Sequence, residues 1–160
     1  MDRVESLRKI PLLSGVEDGD LKILAGMLKE KRTGSGANLI TEGETGDEVY
    51  VLIEGTVDVI KSTIFGDSFV VATLDAKDHC VFGEMAMIDS DRRSATVKAK
   101  TDCTTLSMRR EDFDRFCHEH PRSGVELLRL ISINLVRNIR AENNNLRMVY
   151  QALIEEIEAD

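Results

Sequence analysis

With 160 residues, 42% of them hydrophobic and 31% charged, the chain has the composition of one globular domain large enough to bury a proper core. Its formal net charge of -8 argues against a general binder of nucleic acid or of anionic membranes, because such partners reward basic patches. No apolar run approaches a bilayer span, and Met1 to Ser6 carries no apolar signal core, so the expected location is the cytoplasm.

In chain order, residues 3 to 9 suggest a short helix halted by Pro11. Glu17 to about Lys29 suggests a second, with Leu21, Ile23, Leu24 and Leu28 on one face and Glu17, Asp18 and Asp20 at its favourable acidic start. From Lys31 the texture changes to short apolar segments punctuated by Gly34, Gly36, Gly43, Gly46, Gly55 and Gly66. Gly46-Asp47 and Glu54-Gly55 are the clearest turn signals. The β-branched runs Val49–Ile53 and Thr56–Ile60 are expected to pair across Glu54-Gly55. Ser68–Leu74, Ala95–Ala99 and Cys103–Met108 supply further strands. So many short strands predict an antiparallel sandwich or roll.

Helix returns at Arg110, with Phe113 and Phe116 spaced i, i+3. Cys117-His118-Glu119-His120 invites a metal reading, but residues 118 and 120 leave a helix on different sides and no HxxxH pair is present. A solvated helix end before Pro121 is expected, without metal. Cys80, Cys103 and Cys117 form no CxxC pair, and Cys103 reads as a small core residue. Residues 124 to 158 predict one long helix. Ile139, Leu146 and Leu153 fall at successive a positions and Leu135 and Val149 at d, with Glu142 and Glu156 interrupting the seam. Such a stripe needs a partner, and a homodimer through this helix is expected; the alternative is a helix folded back over its own roll.

The chain is organised around Phe82 to Val97. Gly83 admits a tight backbone entry, Met85 to Ile88 form a very short helix, and Asp89-Ser90-Asp91 stops it. A helix start presents unpaired N–H groups to an anion, and Arg93 adds a permanently charged fork suited to two phosphate oxygens. Glu84 would repel phosphate but would accept a hydrogen bond from a sugar hydroxyl. The pair therefore favours a nucleotide over inorganic phosphate.

Gly83-Glu84, eight residues, then Arg93-Ser94-Ala95 resembles the phosphate-binding cassette of cyclic nucleotide-binding domains, as in catabolite-activator-type regulators, protein kinase A regulatory subunits and gated channels. Ile10 to Gly15 is similar to the family's opening segment, and Glu42 to Asp47 with Tyr50 to Gly55 to its central hairpin, so the resemblance covers roughly residues 8 to 140. It implies an α+β fold: an antiparallel β-roll (jelly roll) with short N-terminal helices, a phosphate-cassette helix and a long C-terminal helix. The expected organisation is 1–30 for the N-terminal helices, 31–109 for the roll with the cassette at 82–97, and 110–160 for the lid and dimer helices.

The resemblance also implies a ligand, cyclic AMP or else cyclic GMP, and no cofactor. The implied binding set is Phe82, Gly83, Glu84, Met85, Ala86, Arg93, Ser94, Ala95 and Asn138. In it Arg93 takes phosphate, Glu84 the ribose hydroxyl, and Asn138, beside Leu135 and Ile139, the base. The bland alternatives are an exposed strand-edge arginine for Arg93 and a small residue in a crowded turn for Ser94, whereas Met85, Met87 and Ile88 read as core packing rather than ligand contacts. Arg92 should face solvent, and Val70 and Val71 are candidate walls for the base.

No metal cluster and no nucleophile beside a base can be assembled from three scattered histidines, so an enzyme is not expected. The expected function is a cyclic nucleotide receptor acting through its C-terminal helix and dimer. The alternative is a scaffold that kept the fold and lost the ligand. A transcription factor is not expected, because roughly fifteen residues follow Asn145, too few for a helix-turn-helix domain.

Overall fold

The structure is a computed structural model that describes residues 3–158, so Met1, Asp2 and the last two residues of the expected C-terminal unit lie outside it. Two short helices, α1 (Arg3–Arg8) and α2 (Asp18–Met27), flank a 3-10 turn at Pro11–Leu13. Pro11 opens that turn at a position where its missing N–H costs nothing. Helix α2 stops before the expected boundary. Leu28 is already extended, and Lys29 opens the first strand, β1 (Lys29–Thr33), an exposed and highly charged edge.

Seven more strands follow: β2 (Asn38–Ile40), β3 (Glu48–Glu54), β4 (Thr56–Ser62), β5 (Ser68–Asp75), β6 (Val81–Phe82), β7 (Thr96–Ala99) and β8 (Cys103–Arg109). They form two four-stranded antiparallel sheets, in the orders β1-β8-β3-β6 and β2-β7-β4-β5. The antiparallel β-roll with its short N-terminal helices and long C-terminal helix is therefore as expected.

The pairing of 49–53 with 56–60 is not. Strand β3 bonds β8 and β6, whereas β4 bonds β5 and β7, so the two lie in different sheets. Gly55 alone separates them, and a one-residue link cannot close a hairpin. With φ 92 it turns the chain from one sheet to the other, packed so closely on Cys103 that an added Cβ would fall 2.7 Å from its Sγ. The expected turn at Gly46-Asp47 also moves upstream, to Glu42-Gly43, where Gly43 takes φ 80.

One core lies between the sheets, with Leu39, Ile40, Tyr50, Leu52, Val57, Phe82, Val97, Ala99 and Cys103. The other lies on the outer face of the first sheet, where Val51, Leu106 and Met108 meet the helices. Strand β3 is thus covered on both faces, which is why Tyr50, Val51 and Leu52 are all buried and the run is continuously apolar.

Helix α3 (Arg110–Glu119) buries Phe113 and Phe116, and α4 (Pro121–Glu158) begins with a proline at its first position. The two cross closely: a Cβ on Gly124 would stand 2.8 Å from Cys117 Cα. His120 is not the solvated helix end the sequence suggests. It stacks on Phe116 at 5.0 Å, and its Nδ1 lies 2.8 Å from Asp20, which also accepts from Ser123 Oγ at 2.6 Å. Among the described residues no group of three or more His, Cys, Asp or Glu is arranged to hold a metal ion.

Helix α4 runs unbroken for 38 residues and buries Leu127 and Ile131, but every residue from Val136 to Glu158 is exposed. Its distal half projects from the body and does not fold back over the roll. No described helix is long and apolar enough to cross a membrane.

Candidate functional site

The cassette begins where β6 ends. Gly83 takes φ 77, and a Cβ there would meet Glu48 O and Arg93 Nη1 at 3.1 Å and Ile40 Cδ1 at 3.2 Å, so the backbone passes through a gap that fits glycine. The expected short helix is a 3-10 turn, Glu84–Met87. Ala86 and Met87 anchor it in the helix-facing core. Met85 and Ile88 are 46% and 49% exposed, so the expectation of core packing holds for Met87 and fails for both of these. Phe82 is buried and stacks on Tyr50 with ring centroids 5.4 Å apart, a rigid floor behind the turn.

Arg93 returns from the loop to the start of the turn. Its Nη2 donates to Glu48 O at 2.8 Å and its Nη1 to Gly83 O at 3.4 Å. Its backbone is equally fixed: Gly43 N donates to Arg93 O, and Arg93 N to Glu44 O, each at 2.9 Å. The guanidinium is half-buried and, among the described residues, forms no ion pair. A cation held by carbonyl oxygens alone keeps its full charge and further N–H donors for an anion. The exposed-arginine alternative does not describe this geometry. Arg92 is exposed as expected, but it is tied back to Gly43 O at 2.8 Å. Ser94 is exposed with Oγ 3.8 Å from Met85 Sδ, and Ala95 is half-buried where β7 begins.

Glu84 is only 8% exposed. Burial pushes its carboxyl above the ordinary range, opposed by its own amide N–H and by Asn134. Asn134 Nδ2 donates to Glu84 Oε1 at 3.0 Å, the side-chain bond that joins α4 to the cassette. Asn138 stands one turn further out and is exposed, as are Val70 and Val71 on β5. Glu48, whose carbonyl holds Arg93, accepts from Tyr50 OH at 2.7 Å and Ser107 Oγ at 3.3 Å. Burial first, then this carboxylate, push the Tyr50 hydroxyl far up.

Two residues at the start of α3 clamp the surrounding loops. Arg109 pairs with Asp47 at 2.9 Å, and Arg110 Nη1 donates to Asp89 O at 2.6 Å and Ser90 Oγ at 2.9 Å. A small cavity of about 110 Å³, lined in part by Arg3, Glu30 and Leu106, shares no residue with the cassette and is too small for a nucleotide.

Sequence reasoning brought Phe82, Gly83, Glu84, Ala86 and Arg93 to one place, and the structure does the same. It did not single out Asn134 or the Arg110 clamp. A signal for Asn134 was present, a polar residue three after Ile131 on the buried stripe of a helix.

A family profile described as "Cyclic nucleotide-binding domain" matches residues 30–120. Curated relatives include a cAMP-dependent protein kinase regulatory subunit of Yarrowia lipolytica, 37% identical over 68% of this chain and 28% of that protein. Another is a CRP-like cAMP-activated global transcriptional regulator of Mycobacterium tuberculosis, 28% identical over 89% of this chain and 61% of that one. The chain thus spans under two thirds of either relative. Among solved structures, the N-terminal domain of a transcriptional regulator from Streptomyces coelicolor A3(2) superposes with a TM-score of 0.74 at 28% identity, covering 88% of this chain and 95% of that one.

Proposed function

The chain belongs to the cyclic nucleotide-binding domain family, and we propose that it is a cyclic nucleotide receptor, with cyclic AMP as ligand, that binds without turning its ligand over. The carrying observation is the half-buried Arg93 guanidinium, fixed on two backbone carbonyls beside the cassette turn and, among the described residues, paired with no carboxylate. In this reading Arg93 and the amides of the turn take the phosphate, and Glu84 takes the ribose 2′-hydroxyl. Helix α4 lies beside the base, with Asn138, Leu135 and Ile139 nearest it. The roll of 31–109 holds the ligand, and 110–160 carries the response.

The output runs through a homodimer. Val136, Ile139, Leu146, Val149, Tyr150, Leu153 and Ile157 are all more than 40% exposed along the projecting half of α4, more apolar surface than an unpartnered helix keeps in water. A parallel pairing of two copies covers the Ile139, Leu146 and Leu153 seam. Direct contact with nucleic acid or membrane is not part of this reading.

Calorimetry of the purified protein with cyclic AMP and cyclic GMP tests it. Saturable heat with a preference for cyclic AMP is expected. No heat and no thermal shift with either nucleotide at millimolar concentration overturns the receptor and leaves a dimerising scaffold.

A further inference from the structure

We propose that Asn134 is a positioning residue for sugar recognition, holding the Glu84 carboxylate from α4 so that the helix and the cassette build the 2′-hydroxyl site together. The proposal rests on the receptor reading above and assigns a role within it to a residue outside the cassette.

Glu84 sits in a four-residue turn with little solvent around it. A carboxylate so placed is stable as a charged, oriented acceptor only if donors meet it. Its own amide is fixed by the turn; Asn134 Nδ2, at 3.0 Å from Oε1, comes from a separate element. The bond uses a neutral donor, so it brings no counter-charge to Glu84, and a carboxylate has lone pairs to spare for an incoming hydroxyl. A lysine or arginine at 134 would neutralise the acceptor instead.

The position of Asn134 is itself determined. Leu127 and Ile131 are each 2% exposed and pack in the same core as Ala86 and Met87, the residues that anchor the turn. Leu135 packs against that cluster, which leaves the adjacent Asn134 facing the cassette. Asparagine is a poor choice for a helix interior. Here it is held by a bond that no apolar residue could make. Because the bond joins two elements, hydroxyl capture and the seating of α4 are linked: whatever strengthens one strengthens the other.

The test measures cyclic AMP and 2′-deoxy cyclic AMP binding by calorimetry in the wild type, Asn134→Ala, Glu84→Gln and the double variant. Alanine is the better helix former, so the substitution does not weaken α4 intrinsically, and a thermal melt of each protein confirms folding. Asn134→Ala should weaken cyclic AMP about tenfold and leave the 2′-deoxy ligand within about twofold. In the Glu84→Gln background it should add almost nothing, because Asn134 acts through the charged acceptor that Glu84→Gln has already removed. Equal losses for the two ligands overturn the proposal and make Asn134 a helix-seating residue. So do additive losses. A wild type that binds neither nucleotide overturns the receptor reading, and this proposal with it.

Discussion

Gly46 lies flat against the guanidinium of Arg93: a Cβ added at Gly46 would overlap Nε and fall 2.7 Å from Nη2. The backbone of residue 46 is one wall of the channel through which Arg93 reaches Glu48 O. Gly46→Ala should therefore push the fork off its carbonyls without disturbing either core. The expected result is cyclic AMP binding weakened by about 1.5 kcal/mol, on the order of tenfold, with the melting temperature within about 2 °C of wild type. Paired calorimetry and thermal melts check both halves.

Arg93→Ala removes the cation itself. In the proposed site this loses a bidentate, charge-assisted contact, and affinity should fall by about 3 kcal/mol, more than a hundredfold. Arg93→Lys should recover little, because a point charge reproduces neither the fork nor its bonds to Gly83 O and Glu48 O. Titration of both variants over a wide nucleotide range is the measurement.

Glu84→Gln should stabilise the protein at neutral pH while weakening its ligand. Burial favours the neutral carboxyl, so the folded chain holds this proton to higher pH than the unfolded chain does. The group's favourable contribution is complete below the unfolded carboxyl range, about pH 4, and is lost as pH rises through the raised folded value. Glutamine keeps an acceptor for Asn134 without that cost. The variant's melting temperature should exceed wild type at pH 7, and the gap should close as pH falls toward about 4. A gap independent of pH would mean that Glu84 is not the group responsible.

Leu146→Asp places a carboxylate in the middle of the proposed dimer seam, at a side chain 52% exposed in the single chain. Sedimentation at tens of micromolar should show wild-type dimers and variant monomers, with the far-ultraviolet spectrum of the roll retained. A monomeric wild type would contradict the dimer directly.

Much of this was legible in residue patterns with a short reach. The cassette could be read because its glycine, carboxylate and arginine lie within a dozen positions of one another, and the helices because their apolar spacing is local. The sheet partners of β3 and β4 were not legible. Val49–Ile53 and Thr56–Ile60 look like a hairpin when only the intervening Glu54-Gly55 is considered, yet Leu52 pairs with Thr105, and Val59 with Ala72 and Val97. Sequence gives no distance between such positions, and the decisive fact is that Gly55 turns a corner against Cys103.

Asn134 was not singled out beside Asn138 for a similar reason. Four apart, they share a stripe of the same helix, and only the point at which α4 leaves the body distinguishes them. His120 was read as solvated because its partner, Asp20, belongs to α2, a hundred positions earlier.

The length of α4 gives it mechanical gain. At about 1.5 Å per residue, Ile157 stands about 39 Å along the axis from Ile131, the last fully packed anchor on the body. A tilt of about 5° at that anchor, a fraction of an ångström at the neighbouring Asn134, carries the far end about 3 Å sideways. In the proposed receptor, an adjustment at the cassette no larger than a hydrogen bond's tolerance would become, at the tip, a displacement comparable to half the width of a side chain pair, because the rod has no proline or glycine beyond Gly124 to absorb it.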